Sequence, residues 1–227
     1  AVDQMQEEVL VGVDVAIGRA KITSPWHVEI TKDDGSKQML STKSIVIATG
    51  AAPFVPPLPG LEDVGYLTSD TLWGLREQPK RLVVLGGGPI GCELAQSFAR
   101  LGSQVTQIEM LPRIMIREDE EVSAYARQAL EADGVTILTG HKALRCEKRG
   151  DVKTIVVENN GKETAIEFDA LLCAVGRSAR LKGFGLEELG IPVGKTVQVN
   201  EYLETNFPNI LAAGDVGAVD QHVAIEA

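Results

Sequence analysis

Cysteine is scarce in this 227-residue chain. The three that occur, Cys92, Cys146 and Cys173, are odd in number and fall in no CxxC or CxxxxC spacing, so the sequence offers neither a disulfide framework nor a zinc site. Reduced thiols of that kind suit a cytoplasmic protein. Positive charge is also short: Lys and Arg number 22 against 32 Asp and Glu, a net charge of −10 at pH 7 that repels phosphate backbones and anionic lipid surfaces alike. Nucleic acid is not an expected partner. An intact apolar span is missing too, because the long uncharged stretch at residues 44–61 is broken by Pro53, Pro56, Pro57, Pro59 and two glycines. It reads as a buried strand followed by a rigid loop. The acidic and polar N-terminal stretch does not read as a signal peptide. A chain this long can bury a substantial core without disulfides or metals, as one large domain or two small ones.

What the chain does have is a change of period. Residues 12–48 alternate short β-prone runs with turn signals, and Asp34-Gly35 between two alternating segments predicts a small antiparallel meander feeding a buried strand at 44–48. A short helical piece is expected near 69–76. From Arg81 the pattern becomes α/β. Leu82 to Gly86 is an apolar run of the kind buried on both faces of a parallel sheet. Pro89 then stands at a first helical position, Ile90, Leu94, Phe98 and Leu101 follow at helical spacing, and Gly102 supplies the stop. Gln104 to Glu109 is the next strand, the acidic run 118–121 opens a second helix, and Val135 to Leu138 is a third parallel strand. Strands at 152–158 and 164–168 flank Asn160-Gly161, the strongest hairpin signal in the chain. Two more apolar strands are expected at 170–175 and 210–213.

The sharpest chemical signal is Gly86, Gly88 and Gly91 in GGGPIG, which closes a strand and, with Pro89 and Ile90, opens a helix. In a strand–helix–strand unit, the first glycine permits a tight turn and the second lets the backbone approach a pyrophosphate. The third allows close helix–sheet packing, and the helix N-terminus holds the phosphates. Glu109 ends the second strand 21 residues after Gly88, where an acidic group binds the adenosine ribose hydroxyls. That pattern predicts dinucleotide binding. It favours NAD over NADP, because a 2′-phosphate would face a like charge.

The segment RLVVLGGGPIGCELAQSFARLGSQVTQIEMLPRIMIREDEEV resembles the NAD-binding domain of the pyridine nucleotide–disulfide oxidoreductases, flavoproteins that include dihydrolipoamide dehydrogenase and mercuric reductase. SIVIATGAAP, with Thr49 and Gly50, resembles the family's crossover from the flavin to the nicotinamide domain. FDALLCAVGR resembles the return crossover, and NILAAGDV, with Gly214 and Asp215, the second flavin motif. The resemblance implies that Glu93 approaches the nicotinamide carboxamide, Gly176 passes the adenine side of NAD, and Asp215 binds the ribitol of FAD. Asp215 also stands where a helix cap would. QHVA, at 221–224, resembles a stretch near the flavin pyrimidine edge, although His222 reads more readily as a packed or surface histidine. Departures accompany the likeness. Pro89 occupies a position where several relatives carry an aromatic gate, Ser178-Ala179-Arg180 replaces the family's x-Pro-Asn, and residues 1–79 hold no GxGxxG and no CxxxxC. Cys92, in the first turn of the helix after the glycines, is placed for a lowered pKa, yet no resolving cysteine follows. Structural roles are expected for all three thiols.

The expectation is therefore an α/β chain, with a Rossmann-like NAD-binding domain at 71–194, parallel sheet plus antiparallel meander, inserted between partial FAD-binding pieces at 1–70 and 195–227. The first flavin motif and the redox disulfide are expected to lie outside it, because residues 1–79 hold no GxGxxG and no CxxxxC, as is the C-terminal dimerisation domain, because the chain stops at Ala227 a few residues into an apolar helical pattern. The implied parent is a homodimer that passes hydride from NADH to FAD and on to an acceptor the sequence does not identify. The residues leave two alternatives open: a flavoprotein reductase without a redox disulfide, similar to ferredoxin reductases or NADH oxidases, and a non-catalytic module that senses NAD.

Overall fold

The structure, a computed structural model, describes residues 13–217. In chain order the elements are β1 (Arg19–Ser24), β2 (His27–Thr31), β3 (Lys37–Ser41), β4 (Ile45–Ile47), β5 (Ala51–Pro53), α1 (Leu61–Val64), β6 (Leu67–Thr68), β7 (Arg81–Leu85) and α2 (Pro89–Arg100). They continue with β8 (Gln104–Glu109), α3 (Glu120–Ala132), β9 (Thr136–Thr139), β10 (Lys142–Arg149), β11 (Val152–Asn159), β12 (Lys162–Phe168), β13 (Ala170–Cys173), β14 (Arg177–Ala179) and β15 (Ile210–Ala212). They divide between two compact units: Ala1–Ala51 with Ala179–Ala227, and Ala52–Ser178. Among the described residues no helix is long and apolar enough to cross a membrane.

The 52–178 unit is a three-layer α/β arrangement. Its five-stranded sheet has the order β6-β13-β7-β8-β9, and every pairing in it is parallel. Alternate residues of β7 and β8 serve opposite faces. Leu82, Val84 and Val105 pack with Cys92 and Ala95 of α2 and Leu130 of α3, whereas Val83, Leu85 and Ile108 pack with Ile155, Val157 and Phe168 of the meander β10-β11-β12. Small residues on α2 let the helix lie close to the strands. The Asn160-Gly161 hairpin forms as expected, with φ +50° and +79° at its two central residues.

The other unit is built on the antiparallel sheet β1-β2-β3 and the parallel pair β4-β15. Ile22, Ile45, Ile47, Leu186, Ile191, Val197, Ile210 and Val216 form its core.

The compact units divide after Ala51 and before Ala179, with Leu61 and Val64 packing into the 52–178 core and Leu186 and Ile191 into the other, beside expected domain boundaries after 70 and 194. Three expectations need correction. The helical piece at 69–76 reduces to a 3₁₀ turn, Leu72–Gly74, which buries Leu72 and leaves Trp73 exposed. The first strand starts at Arg19, after Gly18, so Val13, Val15 and Ile17 lie exposed outside the sheet. Finally, β10 completes the second meander where only two strands were delimited. The expected terminal helix and the 221–224 stretch with His222 lie outside the described residues.

Candidate functional site

Within the 52–178 unit the sequence-predicted residues collect at the carboxyl ends of adjacent parallel strands, the edge where open α/β sheets bind ligands. Gly86 to Gly88 follow β7, Glu109 ends β8, and Gly176 follows β13. The glycines do different things. Gly86 has φ +118°, and a Cβ there would strike the carbonyl of Ala174, so turn and close approach both demand glycine. At Gly91 a Cβ would strike the carbonyl oxygen of Gly86 and come within 3.3 Å of Gln107 Nε2. This glycine lets α2 press on the loop. Gly88, the N-cap of α2, has ordinary extended angles, φ −78° and ψ 179°, and a Cβ there would meet no protein atom within 4 Å. It faces open space.

That space adjoins a helix start whose orphan donors lack an internal acceptor, since a glycine N-cap brings no side-chain oxygen and Pro89 has no N–H. The remaining first-turn donors, on Ile90 and Gly91, are suited to an anion. Glu109 is half-buried, with Oε2 accepting the N–H of Gly87 at 2.6 Å and Oε1 that of Leu111 at 2.8 Å. Both oxygens are thus aimed by backbone, and a carboxylate has roughly four acceptor positions, so two remain for hydroxyl donors. The loop beyond is tied back on the glycines: Met115 N–H donates to Gly87 O at 2.7 Å, and Arg113 donates to the carbonyls of Met115 and Ile116.

The other predicted positions are more peripheral. Pro89 and Glu93 are exposed on α2, Ile90 is half-buried, and both Pro89 and Glu93 border a groove between α2 and α3. Gly176 is exposed at φ +133°, with nothing near a would-be Cβ. The next residue, Arg177, donates to Ser69 Oγ at 2.9 Å.

In the other unit, Thr49 and Gly50 follow the carboxyl end of β4, and Gly214-Asp215 follow that of its parallel partner β15. Ala213 N–H donates to Ile47 O at 3.0 Å, which places the two segments side by side. Thr49 Oγ1 donates to Arg180 O at 3.1 Å. Asp215 is half-buried in a one-turn 3₁₀ helix, Gly214–Val216, whose N-cap is Ala213, so it is a first-turn residue and not the cap.

The thiols are buried and free. Burial raises the Cys92 pKa, against the lowering expected from its place at a helix start, with the Gln107 hydrogen bond opposing the shift. Desolvation also pushes Cys146 up to about 11 and Cys173 up to about 12. All three are neutral, packed side chains at pH 7. Sequence reasoning missed Gly87, Gln107, Leu111 and Met115, which shape the loop through backbone groups or a buried amide; only Gln107, a polar residue in a strand buried on both faces, carried a readable signal.

A profile of the pyridine nucleotide-disulphide oxidoreductase family matches residues 2–226. The chain belongs to that family. It is 36% identical to mercuric reductase from Staphylococcus aureus over 234 residues, an alignment covering 100% of this chain and 42% of that protein. It is 39% identical to dihydrolipoyl dehydrogenase from Thermus scotoductus over 214 residues, covering 90% and 44%. Among solved structures, the HOCl-induced flavoprotein disulfide reductase RclA from Escherichia coli superposes with a TM-score of 0.80 at 31% identity, covering 92% of this chain and 47% of that one. The chain thus spans less than half the length of each of these relatives.

Proposed function

We propose that this chain is the NADH-binding portion, with part of the FAD-binding portion, of a cytoplasmic, homodimeric flavoprotein oxidoreductase. That parent passes a hydride from NADH to FAD and on to a disulfide or another acceptor. When bound, the nicotinamide supplies the hydride and the flavin receives it; the residues of this chain hold and orient. Glu109 accepts hydrogen bonds from the adenosine ribose hydroxyls, and Gly88 leaves room for the pyrophosphate against the N–H groups of Ile90 and Gly91. Gly176 gives the adenine side an unobstructed backbone, and Glu93 approaches the carboxamide. Thr49, Gly50, Gly214 and Asp215 contribute to the FAD site, Asp215 at the ribitol. The observation that carries the reading is the glycine loop whose second glycine faces open space beside a carboxylate aimed by two backbone N–H groups.

Coenzyme preference follows from charge. A 2′-phosphate at Glu109 would meet a carboxylate, and Arg113, four residues on, is engaged by carbonyl oxygens. Calorimetric titration of the chain with NADH and NADPH tests this. NADH should bind more tightly, and Glu109→Ala should weaken it by roughly tenfold to a hundredfold, the worth of a charged hydrogen bond. Equal affinity for the two coenzymes would overturn the role of Glu109, and absence of NADH binding would overturn the reading.

A further inference from the structure

Gln107 lies in the middle of β8 with 0% of its surface exposed. Its amide is half satisfied: Nε2 donates to Gly86 O at 3.0 Å and approaches Cys92 Sγ at 3.5 Å, while Oε1 has no partner among the described residues. The carbonyl of Gly86 fixes which end of the amide faces the loop, because only the N–H₂ end can donate to it. An unpaired buried oxygen costs stability that an apolar side chain of the same size would not cost. The satisfied half shows what the amide does.

Gly86 C=O and Gly87 N–H are the two ends of one planar peptide unit. Gln107 holds the carbonyl end, and Glu109 Oε2 accepts from the N–H end at 2.6 Å. The two side chains stand two residues apart on one face of β8, so a single strand grips this peptide from both ends. Rotating the peptide would break both hydrogen bonds at once. The surroundings are equally tight, since a Cβ at Gly91 would strike Gly86 O and a Cβ at Gly87 would come within 2.9 Å of Glu109 Cγ and Oε2.

From this arrangement we propose that Gln107 is a positioning residue for dinucleotide binding: by holding the Gly86 carbonyl it orients the Gly86–Gly87 peptide, and through it the Glu109 carboxylate, toward the coenzyme ribose. The inference rests on the proposed NADH reading. It explains why a half-satisfied amide sits where leucine would pack, because functional sites retain groups that the fold alone would discard.

The test substitutes Gln107→Leu in the chain and measures NADH affinity by calorimetry and unfolding by a thermal melt, alone and combined with Glu109→Ala. NADH should bind about threefold to tenfold more weakly, within the range one neutral hydrogen bond carries, while the unfolding midpoint changes little, because leucine removes the unpaired Oε1 but leaves the Gly86 carbonyl without its donor. In the Glu109→Ala background the same substitution should cost less, because its effect passes through the carboxylate. Should the leucine variant fail to fold, Gln107→Met is measured in the same way. A well-folded variant that binds NADH as tightly as the unsubstituted chain overturns the inference and leaves the NADH reading standing. An undiminished effect in the Glu109→Ala background also overturns it, as does a lowered midpoint with unaltered affinity. An unsubstituted chain that binds no NADH overturns both.

Discussion

Replacing Gly88 by valine separates the needs of the fold from those of a ligand. The residue has φ −78° and ψ 179°, angles open to any amino acid, and a Cβ there meets no protein atom within 4 Å. The cost to folding is the exchange of glycine for a poor N-cap residue, about 1 kcal/mol, or roughly 2–4 °C in Tm for a chain of this size. A bound pyrophosphate would lose far more. The branched side chain would hold it off the first turn of α2, where each charged hydrogen bond from an N–H group carries about 1.5–3 kcal/mol. Losing two such bonds weakens NADH by at least about a hundredfold. Gly91→Ala serves as the contrasting control, because its Cβ would strike Gly86 O and crowd Gln107 Nε2, an overpacking of about 1–3 kcal/mol that should show first as a lowered melting temperature. Titration calorimetry paired with scanning calorimetry reads both quantities. A Gly88→Val protein with a near-native melt and native NADH affinity would show that the loop has no phosphate role.

Two further outcomes are expected. The pKa values of Cys146 and Cys173, raised by burial from 9.0 to about 11 and about 12, favour the folded state fully below pH 9 and less as pH rises through the folded values, because thiolates form more readily in the unfolded chain. Denaturant-derived stability should accordingly be flat from pH 7 to about 8.5 and fall above 9, with a shallower fall in Cys173→Ala, and equal slopes would contradict this. The chain should also purify colourless and bind negligible FAD at micromolar flavin: contacts through Asp215 contribute at most about 3 kcal/mol, against an association cost of about 4–15 kcal/mol. A yellow preparation with stoichiometric FAD would refute it.

The sequence was most legible where local chemistry and tertiary packing agreed. Pro89 at the first helical position, apolar residues at helical spacing and Gly102 at the end delimit α2, and the observed helix runs Pro89–Arg100. β8 runs Gln104–Glu109 as read, because a short segment with β-branched Val105, Thr106 and Ile108, bounded by the Gly102 stop and the loop after Glu109, has no competing helical period. β10 was obscured by its own geometry: its pairing with β11 shifts register between Ala143 and Arg145, which breaks the two-residue alternation, and three of its eight residues are exposed. β6 is two residues long and α1 four, too short for any period to declare itself. Cys92 shows a different limit. A helix start lowers a thiol pKa only when the sulfur is solvated enough to ionise, and burial, invisible in the sequence, reverses the sign. Glu109 could be found from its distance to the glycines, but the N–H groups of Gly87 and Leu111 that aim it depend on how β7, β8 and the following loop meet.

Thr49 and Asp215 lie far apart in sequence, yet they share one edge of the β4-β15 pair. For that pair to form, the chain between Ala51 and Ala179 must leave and return at nearly the same place, and a flexible loop of such length would tax the pairing with closure entropy. Each unit shows how this is avoided. In the 52–178 unit, Phe54 N–H donates to Gly176 O at 2.9 Å, so its own two ends are adjacent; in the other, Arg180 N–H donates to Gly50 O at 3.0 Å, so the outgoing and returning segments are joined there as well. A compact insert with adjacent ends closes the loop through its own folding. The residues proposed to hold the coenzyme ribose and pyrophosphate therefore sit in a unit with its own sheet, helices and core, while those proposed for the flavin follow two short strands, β4 and β15, paired within the other.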